Sequence, residues 1–381
     1  MDFSFNDDQL ALRDAVRRFC DGEYPKEHRG NPETADSART RWQGMAELGL
    51  LGLPLPAEAG GSEQGAVEVM VVAQELGRAL GGGAFVPSTV MAGSLLKIAG
   101  TAGQQARWLT PMAEGSLQAA VAIHEPGARY DWHDCQLTAR AEGSDFILSG
   151  RKSGVMHGDT AGLWLIVVRL ASTRGLSVLA VDAGTPGVTV QGYDTLDGRR
   201  AAHLHFEGAR VPADHLLGIA GGADAAIEAA LDAGIAALCA ESAGAVEALL
   251  EHTAEHLRTR KQFGAPLAKF QALQHRVADM AIALEQLKSM ACAAAMAVDA
   301  GEPAQRARLV SGAKVLAGQL GRRIGLEAIQ LHGAMGMTDE CRVGHYAKRL
   351  IVIGQSLGDA SWHLSKISAR ADTPERQALA A

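Results

Sequence analysis

The stretch TRKQFGAPLAKFQ, from Thr259 to Gln271, gathers the residue types best suited to chemistry. It breaks two long helical patterns with a Gly, a Pro and an aromatic, flanked by basic residues. A guanidinium stays charged at any relevant pH and donates in a planar, bidentate way. A bend of this kind can push Arg260 outward and raises the question of what needs a basic, glycine-containing interruption, the ordinary alternative being a solvated basic turn. His252 and His256 stand four apart, a spacing that can share a metal. No third ligand follows, and they read as solvated helix positions. His203 and His205 alternate along a β-like segment and share one polar face.

The pattern along the chain supplies the elements that hold these residues. Asn6 followed by Gln9 forms a capping box that opens a helix with Leu12, Val16 and Phe19 on one face, and Pro25 ends it. A second helix over roughly Ser37 to Leu48 gives way to the punctuated loop LGLLGLPLPAEAGG. The helical patterns VEVMVVAQELGRAL, STVMAGSLLKIAG and GQQARWLTPMAEG follow. From Leu117 to Pro212 the segments shorten: LQAAVAI, CQLTARA, FILSG, LWLIVVRL, LSVLAVD, VTVQG and AHLHFEG read as strands. From Gly221 onward the helical segments have lengths suited to a bundle. The prediction is an α+β, mostly α chain. A helical domain covers 1–115, a central antiparallel β-barrel or sandwich 116–220, and a four-helix bundle 221–381. The small residues of AALCAESAGAVEALL let helices approach closely, and the long helices after Gly221 are expected to form the main oligomer contact.

Composition narrows the class. The 381 residues allow two or three domain-sized units, and 47% hydrophobic with 21% charged residues is ordinary for a globular chain. The net charge of −7 with no basic stripe argues against a nucleic-acid partner. Five scattered cysteines with no CxxC pair read as reduced thiols in a cytoplasmic protein. The acidic start MDFSFNDDQLALRD lacks a signal-peptide layout. The most apolar window, LDAGIAALCAESAGAVEALL, is broken by Asp232 and Glu241 and reads as a buried helix, so no membrane partner is expected.

The order helical, β, helical, taken with four motifs, resembles the acyl-CoA dehydrogenase family across essentially the whole chain. RKQFGAPLAKFQALQHRVADM is similar to that family's most distinctive segment. QLHGAMGM resembles its Gln-x-x-Gly-Gly-x-Gly turn, with Ala334 at the second Gly. HEPGARYD is similar to Thr-Glu-Pro-Gly-x-Gly-Ser-Asp, and LSGRKSGVMHGDTAGLWLIVV to the strand and loop beside the flavin ring. The resemblance implies FAD at a subunit interface, with Arg260 on the pyrophosphate. It also implies Gln262, Phe263 and Gln271 facing the adenosine end, bordered by Gln330 and Gly333. An acyl-CoA substrate and an electron-transferring flavoprotein as acceptor are implied with it.

The sequence departs from the family pattern where the reaction would occur. Removal of an α-proton needs a carboxylate base in a desolvated pocket. The resemblance puts that Glu at Leu357, or alternatively at Gly234 or Ile235, and none of these is a base. Asp232, Glu241 and Asp359 are the candidate substitutes. Each also has a structural alternative: helix capping for Asp232 and Asp359, pairing with a neighbouring cation for Glu241. On the flavin side His124 replaces a Thr and Tyr130 a Ser, while Gly154, Met156 and His157 replace an aromatic, a Thr and an Asn. Intact bend and helices with an altered base and cradle resemble the smaller subunits of bacterial heteromeric acyl-CoA dehydrogenases. Those act on bulky or dicarboxylic acyl-CoAs, of steroid side-chain or pimeloyl-CoA type. The expected assembly is a dimer of heterodimers whose partner subunit supplies the base. The alternatives are a homo-oligomeric flavoenzyme with a relocated carboxylate and a non-catalytic subunit without its own flavin.

Overall fold

The computed structural model describes residues 4–25 and 34–371. Helices α1 (Asp7–Glu23), α2 (Ala35–Glu47), α3 (Ala66–Arg78), α4 (Gly93–Ala99) and α5 (Ala102–Ala113) come first. Eight strands follow: β1 (Ala119–Ala122), β2 (Thr138–Glu142), β3 (Asp145–Met156), β4 (Leu163–Leu170), β5 (Leu176–Asp182), β6 (Val188–Asp194), β7 (Arg200–Pro212) and β8 (Leu216–Leu217). Helix α6 (Asp224–Thr259) leads to the short strands β9 (Lys261–Gln262) and β10 (Ala265–Pro266). Helices α7 (Gln271–Ala300), α8 (Pro303–His332), α9 (Arg342–Gln355) and α10 (Ala360–Ala371) complete the described residues. The seven strand-like segments of the sequence are all strands, and the Asn6–Gln9 capping box opens α1, with Asn6 Oδ1 accepting from the Gln9 N–H at 2.8 Å.

The chain divides into two compact units. One comprises the described residues within Met1–Asn31, Ala66–Gly82 and Ile235–Ala381, and is helical. Here α3 crosses α6 backbone on backbone, because Gly77 and Gly244 have no side chains: a Cβ at either would run into the carbonyl of Glu241 or Gln74. The run AALCAESAGAVEALL is thereby consumed inside the chain. Its residues Ala240, Ala243, Ala245 and Val246 are fully buried, so the close approach that these residues allow is made to α3. Helices α6 and α7 are both long and apolar enough to cross a membrane; the apolar window of α6 is 89% buried, as in a core helix, and that of α7 is 44% buried. Several buried polar groups in this unit are paired. Arg17 Nε and Nη2 reach the two oxygens of buried Glu75 at 2.9 and 2.7 Å, and Tyr346 donates to the Arg78 carbonyl at 2.6 Å.

The other unit, Pro32–Gly65 with Gly83–Gly234, holds the sheet. Its strand order is β6-β7-β3-β2-β4-β5-β8, with β1 also on β4. The wholly antiparallel expectation is corrected at two pairs, since β1 and β2 both run parallel to β4. The physical reason is connectivity: the tight β2–β3 hairpin returns the chain to the end where β2 began, so β4 starts in the same direction as β2. The β3–β7 ladder slips between Lys152 and Val155. That bulge takes Ser153 and Gly154 out of register, and bulges of this kind re-aim side chains next to sites.

Candidate functional site

The bend after α6 is a two-stranded hairpin. Ala265 pairs with Gln262 and Pro266 with Lys261, leaving Phe263 and Gly264 as the two turn residues. Both have positive φ, 53° and 77°, the signature of a type I′ turn. Gly264 adopts this without strain, whereas Phe263 does so at a cost and with 88% of its surface exposed. A strained, projecting aromatic is a feature that structures retain for contact with something else. Arg260 and Lys261 are exposed beside it, and neither side chain makes a hydrogen bond or ion pair among the described residues. Gln262 and Gln271 are exposed on the same hairpin and at the first residue of α7.

The end of α8 lies alongside. His256 in the last turn of α6 stacks on His332 at the end of α8, with ring centroids 4.2 Å apart. That contact brings the hairpin and the Gln330–Gly333 turn to one end of the bundle. Gln330 and Gly333 are exposed, and Gly333 ends α8 with a φ of 64°. Burial pulls the pKa of both histidines down; His332 and Arg260 also act on His256 in the same sense. His252 stands away from this pair, its ring 5.9 Å from that of Tyr346. The hairpin end carries Arg260, Gln262, Phe263 and Gln271, and the adjoining end of α8 carries Gln330 and Gly333: an exposed cation, amides and an aromatic face.

In the sheet unit, His124 and Met156 belong to neighbouring segments. The Ser153 N–H, released from the ladder by the bulge, donates to the His124 carbonyl at 2.8 Å. Behind them lies a buried charge cluster. Lys152, fully buried, donates to Glu125 Oε1 at 2.6 Å and to the Ile123 carbonyl at 3.0 Å. Glu125 also accepts from the Gln136 and Leu137 N–H groups at 2.8 and 3.1 Å, and from the Cys135 thiol at 3.2 Å. Burial pushes the Glu125 pKa up, but Lys152 and those donors outweigh it, so the carboxyl titrates below its usual range. The pair locks the loop that carries His124 against β3. Burial, and then Lys152, push His124 down, keeping its imidazole neutral. Both His124 ring nitrogens are buried without a hydrogen-bond partner among the described residues. A neutral imidazole has one N–H to give and one nitrogen to accept, which fits a heteroatom-rich ring such as a flavin. Tyr130 is half-buried beneath the Arg129 guanidinium, 6.0 Å from its ring, and Arg129 and His157 both adopt left-handed backbone angles.

Each of the three candidate carboxylates is engaged within the chain. Glu241 is buried in a bidentate pair with Arg349 of α9, at 2.7 and 2.6 Å, so both its oxygens are occupied. Asp359 Oδ1 accepts from the Trp362 N–H at 2.8 Å and caps α10. Asp232 is 2% exposed and engaged within the chain. Leu357 has a φ of 57° in the turn between α9 and α10. The Glu125–Lys152–Cys135 cluster and the His256–His332 stack were not legible in the sequence. Each joins residues far apart in the chain, and no local spacing signals such pairs.

Comparison with known proteins agrees with these features. Family models for the acyl-CoA dehydrogenase N-terminal, middle and C-terminal domains match residues 6–116, 120–209 and 220–372. A probable acyl-CoA dehydrogenase of Bacillus subtilis, YngJ, is 28% identical over 94% of this chain and 97% of its own. The mitochondrial short-chain specific acyl-CoA dehydrogenase of Mus musculus is 31% identical over 79% of this chain and 75% of its own. The ChsE4-ChsE5 complex from Mycobacterium tuberculosis contains a chain similar at a TM-score of 0.89 and 28% identity, covering 98% of this chain and 100% of that one. The chain belongs to the acyl-CoA dehydrogenase family and is an FAD-dependent oxidoreductase acting on an acyl-CoA.

Proposed function

We propose that this chain is one subunit of a heteromeric acyl-CoA dehydrogenase that acts on a bulky or dicarboxylic acyl-CoA, with the base supplied by a homologous partner in a dimer of heterodimers. The observation that carries this reading is Leu357. The resemblance puts the base there, yet the residue is apolar, and the nearby carboxylates Asp359 and Glu241 are committed to a helix cap and an ion pair. The likeness to a chain of the ChsE4-ChsE5 complex, an assembly of two named components, supports the heteromeric part.

FAD, when bound, supplies the hydride acceptor. Arg260 would neutralise diphosphate charge, Phe263 would offer an apolar face to the adenine, and Gln262, Gln271, Gln330 and Gly333 would border the adenosine. His124 would meet the flavin ring, flanked by Tyr130 and Met156. An electron-transferring flavoprotein is the proposed electron acceptor. The subunit contact falls on the outer face of the bundle, where a groove of about 730 Å³ is lined by Ala281, Ile282, Gln286 and Met290 of α7 and Leu316 of α8. Ile282 is 59% exposed there, an apolar surface that association would cover.

A second reading, a homo-oligomer with a relocated base, is favoured by one observation: Asp232 is a buried carboxylate. Purification with the product of the neighbouring gene, followed by an absorption spectrum, separates the two. A yellow complex of two different chains is the expected result, and a yellow, active homo-oligomer would refute the subunit reading.

A further inference from the structure

Lys314, in the middle of α8, is fully buried, and none of the chemistry above uses it. Burial pulls its pKa down to about 8, against the opposing influence of Cys239 on α6 and Asp359 in the turn. Its hydrogen bonds show what this buried cation supports. Nζ donates to the carbonyl oxygens of Ile353 at 2.8 Å, Gly354 at 3.1 Å and Gly358 at 2.7 Å. The first two are last-turn carbonyls of α9, which a helix cannot satisfy by itself. The third lies just beyond Leu357. One ammonium therefore ties the helix end to the far side of the turn.

His363 of α10 closes the turn from the other direction. Its Nε2 lies 3.2 Å from the Leu357 carbonyl, and its Nδ1 lies 3.1 Å from Ser311 Oγ. A carbonyl can only accept, so Nε2 carries the proton and Nδ1 accepts from the serine hydroxyl. Ser311 stands three residues before Lys314 on α8, placing both on one helix face. Asp359 fixes the exit by capping α10. Leu357 is thereby held at a φ of 57°, a conformation that L residues rarely adopt. Strained backbone persists where its surroundings over-determine it, and such positions cluster at functional sites.

We propose that Lys314, seated with His363 and Ser311, is a positioning residue that clamps the Ser356–Asp359 turn and so presents residue 357 to the substrate's acyl group. This rests on reading that turn as a wall of the acyl site. The substrate class that meets the wall is one whose acyl chain needs apolar surface at the place of a carboxylate.

The test uses the FAD-loaded protein, in its complex where one forms, and compares wild type with Lys314→Met. Hydrogen exchange reads the clamp: amides of residues 357–363 should exchange about tenfold faster or more, with the rest of the bundle unchanged. Calorimetric titration with pimeloyl-CoA and with a steroid side-chain acyl-CoA reads the presentation: affinity for the one that binds should fall about tenfold while flavin content stays constant. Unaltered exchange would overturn the clamp. Faster exchange with unaltered acyl-CoA affinity would overturn the presentation role. Wild-type protein that binds neither acyl-CoA would overturn the acyl-site reading itself, and the proposal with it. Should Lys314→Met fail to fold, Ser311→Ala, which removes only the support of His363, must show the same two changes at smaller size.

Discussion

Two residues of the helical unit share a left-handed backbone conformation and almost nothing else. Phe263, at φ 53°, sits on the tip of a hairpin with 88% of its surface exposed. Leu357, at φ 57°, sits in a turn whose carbonyls are held by the buried Lys314 and His363. Each conformation costs roughly 1–2 kcal/mol. At the hairpin that strain holds a ring away from the protein, beside Arg260 and Lys261, which have no partner among the described residues. At the turn it holds a backbone shape, closed on the protein side. An open strained site waits for a ligand, whereas a closed one sets the position of a single side chain.

The largest expected effect breaks the comparison at the closed site. Leu357→Glu restores a carboxylate where the family resemblance puts the base, and general-base catalysis contributes about 10²–10⁴-fold. Dehydrogenation of acyl-CoA by this chain, followed with an artificial electron acceptor, should rise by about 10²-fold or more; no rise would show that the turn does not face the α-carbon. At the open site, Arg260→Ala removes a charge-assisted contact worth about 1.5–3 kcal/mol. FAD should then bind roughly 10–100-fold more weakly on dialysis, with circular dichroism unchanged, and undiminished retention would count against the hairpin as a phosphate site.

Phe263→Gly sharpens the contrast. An exposed ring at positive φ contributes little to folding, so thermal stability should stay within about 1 kcal/mol of wild type. Flavin affinity should nevertheless fall, and a large stability loss would mean that the ring is a structural prop. The smallest effect is a pH dependence. Lys314 has a pKa of about 8 in the fold against 10.5 ordinarily, so between those values the unfolded chain holds more protons. Wild type therefore gains stability from Lys314 as pH rises from 8 to 10.5, and Lys314→Met loses that gain. Cys239, pushed up to about 12 by burial, opposes it above pH 9, and because Lys314 also acts on that thiol, the difference in denaturant midpoint reads the lysine alone only between pH 8 and 9. A flat difference would show that Lys314 does not titrate there.

Much of the fold was legible in the sequence because its signals are local. The Asn6–Gln9 capping box, the seven strand-like segments and the interruption at Thr259–Gln271 all declare themselves within a dozen residues. The hairpin inside that interruption was not read, since Phe at the first position of a type I′ turn defies turn preference. The parallel pairings of β4 were missed because pairing partners lie beyond any local window. The run AALCAESAGAVEALL was correctly read as a close-approach surface, but its partner is α3 of the same chain. Small residues specify that something packs closely and not what does. The support of Leu357 was invisible for a related reason: Ser311, Lys314 and His363 meet only after α8, α9 and α10 have packed.

The central claim is that this chain completes an acyl-CoA dehydrogenase without supplying the base. Its most direct test is steady-state turnover of the FAD-loaded chain, alone and mixed with its partner subunit, each with and without Asp232→Asn. The account predicts negligible turnover alone, restored turnover on mixing, dependence on a Glu of the partner, and activity of the mixture that survives Asp232→Asn. Robust turnover by this chain alone, abolished by Asp232→Asn, would contradict it and make Asp232 the base.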